Sequence, residues 1–265
     1  MSREPDKPKK TALFVTCLVD LFRPSVGFAT LELLEDAGLE VAVPRAQSCC
    51  GQPAYNAGDR ARAKQIARQV IAQFEAFDAV VLPSGSCAGM MAKHYPELLA
   101  DEPDWAERAS AFAARCREVS DFLVGLPNYR TRAISCAKSA TYHDSCAGLR
   151  ELGIRSQPRQ LLSAVAGLEL RPLPEPESCC GFGGTFCLKY SEVSTAITDA
   201  KIANIEVTGA EMLLGGDLGC LLAIAGRMSR LKRPIEVRHY AEILAGSFRD
   251  HPPIIAVPES GEGGQ

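Results

Sequence analysis

Cysteine is the residue type in this chain whose number and spacing could support chemistry. Eleven of the 265 residues are cysteines, and two adjacent pairs are each followed by glycine. The two pairs lie 130 residues apart (179 − 49); a single cysteine precedes each pair by 32 or 33 residues, and another follows it by 37 or 40. The eight patterned positions are Cys17, Cys49, Cys50, Cys87, Cys146, Cys179, Cys180 and Cys220. Because the whole pattern occurs twice, it predicts an internal duplication.

Four thiolates in each half suit either a tetrahedral zinc ion or an iron–sulfur cluster. Zinc usually binds cysteine pairs that are two to four residues apart, and no two cysteines here have the CxxC spacing. The sequence therefore lacks zinc-ribbon, thioredoxin-like and ferredoxin motifs. Widely separated thiols around one pocket favour a cluster several ångströms across, which nearby helix N-termini would stabilise.

The Cys-Cys-Gly triplets predict sharp turns. Adjacent residues of a strand point to opposite faces, so neighbouring cysteines can share one site only where the chain turns. Glycine permits a positive φ, and we therefore expect Gly51 and Gly181 to allow both sulfurs of each pair to enter one pocket. Gly183 and Gly184 extend this freedom in the second half, and Pro53 restricts the chain in the first.

Strands and helices are expected to alternate around the cysteines. Extended runs lead to the single cysteines, and helical periodicity covers residues 25–37, 58–77 and 190–208. Each half then has three strands, which is typical of βαβ units. We expect an α/β fold of two tandem repeated βαβ-type cysteine-rich halves with parallel sheets, related by pseudo-two-fold symmetry. Ligands of such sheets bind at the carboxyl ends of the strands, so the four thiols of each half should converge there.

The expected domains are two cysteine-rich halves, residues 11–130 and 137–247, with flexible tails at 1–10 and 252–265. The net charge of −3 argues against a nucleic-acid partner, and 46 % hydrophobic with 23 % charged residues is typical of a globular protein. No apolar run approaches the ~20 residues of a membrane span, and the N-terminus lacks the apolar core of a signal peptide. A cytoplasmic location is therefore expected, where thiols stay reduced.

Four stretches of the sequence carry a resemblance to a known family: Leu13–Asp20, Cys49–Asn56, Pro83–Cys87 and Cys179–Phe186. The duplicated Cys-Cys-Gly pattern resembles the cysteine-rich CCG domain that occurs in heterodisulfide reductase and in the iron–sulfur component of glycolate oxidase. More narrowly, residues 11–247 resemble the lactate utilization protein A family.

That resemblance implies an iron–sulfur electron-transfer subunit of a system that oxidises L-lactate to pyruvate and allows growth on lactate. It implies two companion proteins, a ferredoxin-like protein B and a protein C, and two clusters of the 4Fe-4S type held by the eight patterned cysteines. The wider domain often has a fifth cysteine in each half, but Ser84 and Asp217 stand at those positions, so cubane-type binding by four cysteines is expected. The chain itself is then a non-catalytic subunit of the lactate-oxidising complex.

Three other functions stay open. One is a thiol–disulfide redox enzyme component of the heterodisulfide reductase kind, another is the iron–sulfur component of an oxidase for a different 2-hydroxy acid such as glycolate, and the third is a metal-stabilised structural protein. His143, near Cys146, could carry a proton coupled to electron transfer, although such a histidine more often caps a strand end. Cys116, Cys136 and Cys187 lie outside the repeat and are expected to be buried packing residues.

Overall fold

Two four-stranded parallel sheets, one in each half, form the framework of residues 10–254, which this computed structural model describes. The strands are β1 (Thr11–Leu13), β2 (Val41–Ala42), β3 (Ala79–Leu82), β4 (Cys116–Glu118), β5 (Ser139–His143), β6 (Glu169–Arg171), β7 (Met212–Gly215) and β8 (Glu236–His239). Their order is the same in both sheets, β2-β1-β3-β4 and β6-β5-β7-β8, and every pairing is parallel. The central aliphatic strands β3 and β7 are fully buried, as expected for sheets covered by helices.

Helices connect the strands, because parallel neighbours need crossover connections. The first half has α1 (Cys17–Phe22), α2 (Pro24–Asp36), α3 (Gln52–Asn56), α4 (Arg60–Phe74), α5 (Gly85–Gly89), a π-helix (Met90–His94), α6 (Tyr95–Leu98), α7 (Pro103–Ala113) and α8 (Val119–Val124). The second half has α9 (Cys146–Arg150), α10 (Ser156–Leu162), α11 (Phe186–Lys189), α12 (Ser191–Val207), α13 (Leu218–Arg230), α14 (Tyr240–Ala245) and a 3₁₀ helix (Ser247–Arg249). The predicted α/β fold with two repeated halves is confirmed. No helix within residues 10–254 is long and apolar enough to span a bilayer.

The three helices predicted from periodicity are present as α2, α4 and α12, but the pattern of three strands per half missed a fourth strand in each. These strands are β4 and β8, which pair with β3 and β7. They contain Arg117 and Glu118 in the first half and Glu236 and Arg238 in the second. Such charged residues hide the apolar pattern of a strand, and these strands form because pairing and burial in the sheet outweigh local preference.

The last described residue and the segment between the halves are held by specific contacts. The backbone N–H of Ile254 donates to the carbonyl of Val237 at 2.9 Å, so the chain is anchored as far as this residue. Arg132, between the halves, forms ion pairs with Glu32 and Asp36 of α2. The remaining parts of the predicted tails, residues 1–9 and 255–265, lie outside the described residues.

The two halves share a hydrophobic core and pack reciprocally. Helix α2 of the first half packs against α14 of the second, and α10, the equivalent of α2, packs against α8, the equivalent of α14. Leu33 and Leu34 of α2 belong to the same buried cluster as Ile243 and Leu244 of α14. Two such reciprocal contacts are what a pseudo-two-fold relation between the halves requires.

A buried ion pair also joins the halves. The guanidinium of Arg23, just before α2, lies 2.9 Å from a carboxylate oxygen of Glu242 in α14, and the hydroxyl of Ser25 donates to the same oxygen at 2.7 Å. Removing one partner of a buried pair typically costs about 3–5 kcal/mol, because the other charge is left without compensation. The contact therefore fixes the arrangement of α2 on α14.

Glu118 ends β4 at the boundary between the halves and is buried. The backbone N–H and the hydroxyl of Ser120 donate to one of its carboxylate oxygens, and the hydroxyl of Tyr240 from the second half donates to the other. Burial raises the pKa of this carboxyl to about 7, although the hydrogen bonds act in the opposite direction. Glu118 is thus a group whose ionisation opposes folding.

We expect Glu118 to make stability depend on pH. The pKa of Glu118 in the folded protein lies above the ~4.3 of a free glutamate. The protonated carboxyl therefore makes its full contribution to the free energy of unfolding below pH ~4.3, and this contribution is lost as pH rises through about 7. The free energy of unfolding of the wild type, minus that of Glu118→Gln, should fall by about 3 kcal/mol between pH 4 and pH 8. Urea denaturation across this range measures the difference. A difference for Glu118→Gln that does not vary with pH would contradict the assignment.

Candidate metal centres

All eight patterned cysteines lie at the carboxyl ends of sheet strands, four in each half, as predicted. Cys17 begins α1 after β1, and Cys146 begins α9 after β5. Cys87 and Cys220 lie in the first turns of α5 and α13, after β3 and β7. The two cysteine pairs lie in the connections that follow β2 and β6. The parallel topology therefore brings together thiols that are distant in the sequence.

The first centre consists of Cys17, Cys49, Cys50 and Cys87. The sulfurs of Cys17 and Cys49 are 3.7 Å apart, and those of Cys50 and Cys87 are 3.3 Å apart. Hydrogen bonds from the thiols of Cys17 and Cys50 hold the pKa of Cys49 well below its usual range, while the same contacts and burial raise the pKa values of Cys17 and Cys50. The arrangement stabilises one thiolate among neighbouring thiols. Thiolates are the ligands that thiophilic metals select.

The second centre repeats this arrangement with Cys146, Cys179, Cys180 and Cys220. The thiols of Cys146 and Cys180 hydrogen-bond to the sulfur of Cys179, and these contacts lower the pKa of Cys179. The pKa values of Cys146 and Cys180 are raised, first by the hydrogen bonds with Cys179. A hydrogen bond with Cys220 raises the pKa of Cys180 further, and burial raises both. A thiolate in the middle of the chain of contacts is therefore common to both halves.

The Cys-Cys-Gly triplets form the predicted turns. Gly51 has φ +83° and Gly181 has φ +88°, both in the left-handed region that favours glycine. The N–H of Gly51 donates to the sulfur of Cys49 at 3.4 Å, and that of Gly181 donates to Cys179 at 3.3 Å. The turn thus places a backbone donor beside the sulfur that is most easily ionised.

The first centre opens into a cavity of about 320 Å³ that both halves line. Its four cysteines form one side of the cavity. The other side comes from the second half and includes Phe182, Cys187, Leu188 and Leu218. The first centre is therefore completed by residues that the duplication alone does not place there.

Asp217 connects the two halves directly at the first centre. This buried residue precedes α13, but its carboxylate accepts from the N–H of Ser86 at 2.9 Å and from the hydroxyl of Ser84 at 3.2 Å. Ser84 in turn accepts from the N–H of Cys87 at 3.3 Å. Asp217 therefore fixes the start of the helix that carries a sulfur of the other half.

The surroundings of the two centres differ. Phe14 lies three residues before Cys17, and His143 lies three residues before Cys146, so the duplication makes these two buried residues equivalent. Burial, and the charge of Lys201 after it, lower the pKa of His143 to about 3.

A similar difference separates α4 from α12. The carbonyls of Ala63 and Ser194 face the two turn glycines, and seven residues further along these helices are Val70 and Lys201. Both are buried; the Lys201 ammonium interacts electrostatically with Cys146, Cys179 and Cys180 and donates to the carbonyl of Glu175 at 3.3 Å. Burial lowers the pKa of this lysine. The second centre therefore has a histidine and a lysine where the first has apolar side chains.

Two of the three cysteines outside the repeat are buried, as predicted, and one is not. Cys116 and Cys136 are each 4 % exposed. Cys187 is half-buried instead, donates to the carbonyl of Gly184 at 3.2 Å and lines the cavity of the first centre. The expectation of a buried packing residue was wrong for Cys187, because the short helix α11 that carries it lies against the other half. Its position six residues after Gly181, directly after a glycine-rich segment, was the available sequence signal.

The residues of each centre fit an iron–sulfur cluster. Four sulfurs lie together in each half, and two backbone N–H groups point at cysteine sulfurs. Four cysteine thiolates are the usual ligands of cubane clusters, and hydrogen bonds to sulfur tune such clusters. The cavity beside the first set provides room for a group larger than a single ion.

The chain is similar to known proteins. The CCG cysteine-rich domain family matches residues 11–92 and 140–225, and each segment contains one set of four cysteines. The chain is 49 % identical to lactate utilization protein A of Bacillus licheniformis and 48 % identical to that of Geobacillus kaustophilus, each over 235 residues, 89 % of this chain and 98 % of the relative. A crystal structure of a hypothetical protein from Helicobacter pylori has a TM-score of 0.63 at 13 % identity, covering 91 % of this chain and 49 % of that one, which is a likeness of fold alone.

Alanine at Gly181 should destabilise the protein more than alanine at Gly51. The positive φ alone costs each variant about 1–2 kcal/mol of the free energy of unfolding. A Cβ at Gly181 would also lie 2.6 Å from the carbonyl oxygen of Ser194, whereas the nearest atom to a Cβ at Gly51 is a methyl carbon of Ile66 at 3.3 Å. Urea denaturation of the two variants should give a clearly larger loss for Gly181→Ala.

Gly226 in α13 provides the matched control, because a Cβ there meets no atom within 4 Å. Gly226→Ala should leave stability unchanged or raise it by about 0.5–1 kcal/mol, the usual gain in a helix. Equal losses for Gly51→Ala and Gly181→Ala would show that the steric contact in the second turn is relieved at no cost.

Proposed function

Because the chain belongs to the CCG cysteine-rich family and, within it, to the lactate utilization protein A family, we propose that it is an iron–sulfur electron-transfer subunit of a system that oxidises L-lactate to pyruvate. The observation that carries the proposal is the convergence of two sets of four cysteine sulfurs at equivalent sheet edges. The eight residues would hold two clusters, in our proposal of the 4Fe-4S type. A bound cluster would supply reversible one-electron transfer.

The protein's own residues suit this role by holding and partly shielding the sulfurs. Cys50, Cys87, Cys180 and Cys220 are buried, which protects their sulfurs from water and oxidants. The other four patterned cysteines are only half-buried, so each centre keeps one side near the surface. This favours exchange of electrons with another protein bound at the sheet edges.

The partners that we propose are the lactate utilization proteins B and C, of which B would be ferredoxin-like. In that assembly this chain transfers electrons, and the lactate-oxidising site lies on a companion protein. We infer a cytoplasmic location, consistent with eleven cysteines free of disulfides.

A thiol–disulfide redox function is the second candidate, and Cys187 is the observation that favours it. Its thiol lies in the same cavity as the four sulfurs of the first centre. A small disulfide reaching this cavity would meet both a cluster ligand set and a free thiol. Disulfide reduction by the purified chain with a chemical electron donor, lost in Cys187→Ser, would favour this function over electron transfer to a partner.

Single cysteine substitutions should separate the two centres. Cys50→Ala should remove about half of the iron and sulfide of the anaerobically purified chain, and Cys180→Ala should remove the other half, because each cysteine belongs to one set of four. Metal and sulfide analysis with electron paramagnetic resonance measures the loss. Cys116→Ala is the matched control, since Cys116 is equally buried but lies outside both sets, and it should retain full occupancy. Zinc in place of iron in the wild type would contradict the proposal.

Lactate oxidation should require the companion proteins. The purified chain alone should give cluster redox signals and negligible pyruvate, and addition of proteins B and C should produce pyruvate from L-lactate. Cys17→Ser or Cys146→Ser should abolish this activity while the circular dichroism of the chain stays that of the wild type. Glycolate in place of lactate tests the other 2-hydroxy acid, and lactate oxidation by the isolated chain would contradict the assignment as an electron-transfer subunit.

A further inference from the structure

His143 is the buried group of the second centre to which the eight-cysteine pattern gives no role. It is 1 % exposed, and neither ring nitrogen has a hydrogen-bond partner within the described part of the chain. The neighbouring carboxylate of Asp144 is already bound by the guanidinium of Arg159, at 2.8 and 2.7 Å. Buried polar groups in native proteins are almost always paired, so an imidazole without a partner needs an explanation.

The position of the ring supplies one. A ring nitrogen of His143 and the sulfurs of Cys180 and Cys220 all lie within 4.8 Å of one another, and among the residues described this is the one such group of three metal-binding side chains. The ring is nevertheless not hydrogen-bonded to either sulfur. Metal–ligand bonds are about 2.3 Å to sulfur and 2.0–2.1 Å to nitrogen, so ligands of one metal centre lie within a few ångströms of one another. The three atoms are thus close enough together to serve one metal centre.

The first centre provides an internal comparison. The equivalent residue there is Phe14, which is fully buried and packs on Phe74 with ring centroids 5.5 Å apart. The scaffold therefore accepts an apolar ring at this position when no ligand is needed. A histidine in the second half introduces a nitrogen that packing alone does not require.

We propose that His143 is a ligand of the second centre and would bind, through one ring nitrogen, a metal atom of the group that Cys180 and Cys220 help to hold. This assignment rests on the proposed iron–sulfur function. The first centre has only cysteine ligands, whereas the second has four cysteines and a histidine, so the two centres differ chemically. Histidine is a neutral ligand and thiolate is an anion, and histidine ligation is known to raise the reduction potential of an iron–sulfur centre.

Pulsed electron paramagnetic resonance of the reduced, anaerobically prepared full chain tests the assignment. A ligating imidazole should give a strong nitrogen coupling that changes when the protein is labelled with ¹⁵N-histidine. The chain has four histidines, so the coupling must be assigned by substitution. His143→Phe, which restores the residue type of the first half, should abolish it, and His94→Phe should leave it unchanged.

A second variant keeps the test decisive if His143→Phe does not assemble the second centre. His143→Cys retains a metal-binding side chain and should keep iron and sulfide near the wild-type amounts. It should lose the nitrogen coupling and lower the reduction potential of one of the two centres, because a thiolate adds negative charge. Circular dichroism of all variants establishes that they are folded.

Cobalt provides a measurement that does not depend on cluster assembly. The metal-free, reduced chain is titrated with Co²⁺, and the visible absorption of wild type and His143→Phe is compared. A cobalt spectrum that depends on His143 supports the ligand assignment even if the chain assembles no cluster. Failure to assemble a cluster would contradict the proposed iron–sulfur function but not the ligand assignment. Full iron and sulfide without histidine nitrogen coupling, with cobalt spectra that His143→Phe does not change, would overturn the assignment and leave the electron-transfer function in place.

Discussion

Crowding of four cysteine sulfurs at the end of each sheet is the constraint on which the rest of this structure depends. Sulfurs as close as 3.3 and 3.7 Å cannot all ionise unless a metal compensates their charge, since each thiolate raises the pKa values of its neighbours. Each half has one stabilised thiolate, on Cys49 or Cys179, and a backbone N–H that donates to its sulfur. Delivering that N–H requires a turn with positive φ, and therefore a glycine after each pair. The parallel sheet is required too, because it brings the ends of three strands to one edge.

The duplication supplies two such edges, but neither half is complete without the other. Asp217 of the second half binds the start of α5, the helix that carries Cys87. Helices α5 and α9 approach closely at Gly85 and Gly148, where a Cβ on Gly85 would lie 3.0 Å from the Cα of Gly148. Each of these helices carries a cysteine of a different centre, so a displacement between the halves would disturb both centres. The shared core and the buried pair of Arg23 and Glu242 oppose that displacement.

The features that could be predicted from sequence are those with a local chemical signature. Cysteine spacing indicated the duplication and the two sets of four thiols, and Gly51 and Gly181 indicated the turns, because few other residues accept a positive φ. Strands β4 and β8 were missed because their charged residues are paired or buried only in the folded protein. Asp217 and Cys187 were missed as parts of the first centre for a related reason. Their partners lie in the other half, about a hundred residues away or more, and no spacing within one repeat encodes such a contact.

Departures from the repeat are therefore as informative as the repeat itself. A duplicated scaffold with identical surroundings would give two centres of equal electrostatic environment. Here the buried ammonium of Lys201 acts on Cys146, Cys179 and Cys180, and its equivalent in the first half is the apolar Val70. A positive charge in a medium of low polarity stabilises nearby negative charge far more than it would in water. A cluster bound there, as proposed, would become more negative on reduction, so the nearby ammonium would favour its reduced state. The same fold, used twice, thus provides two unequal positions for charge within one chain.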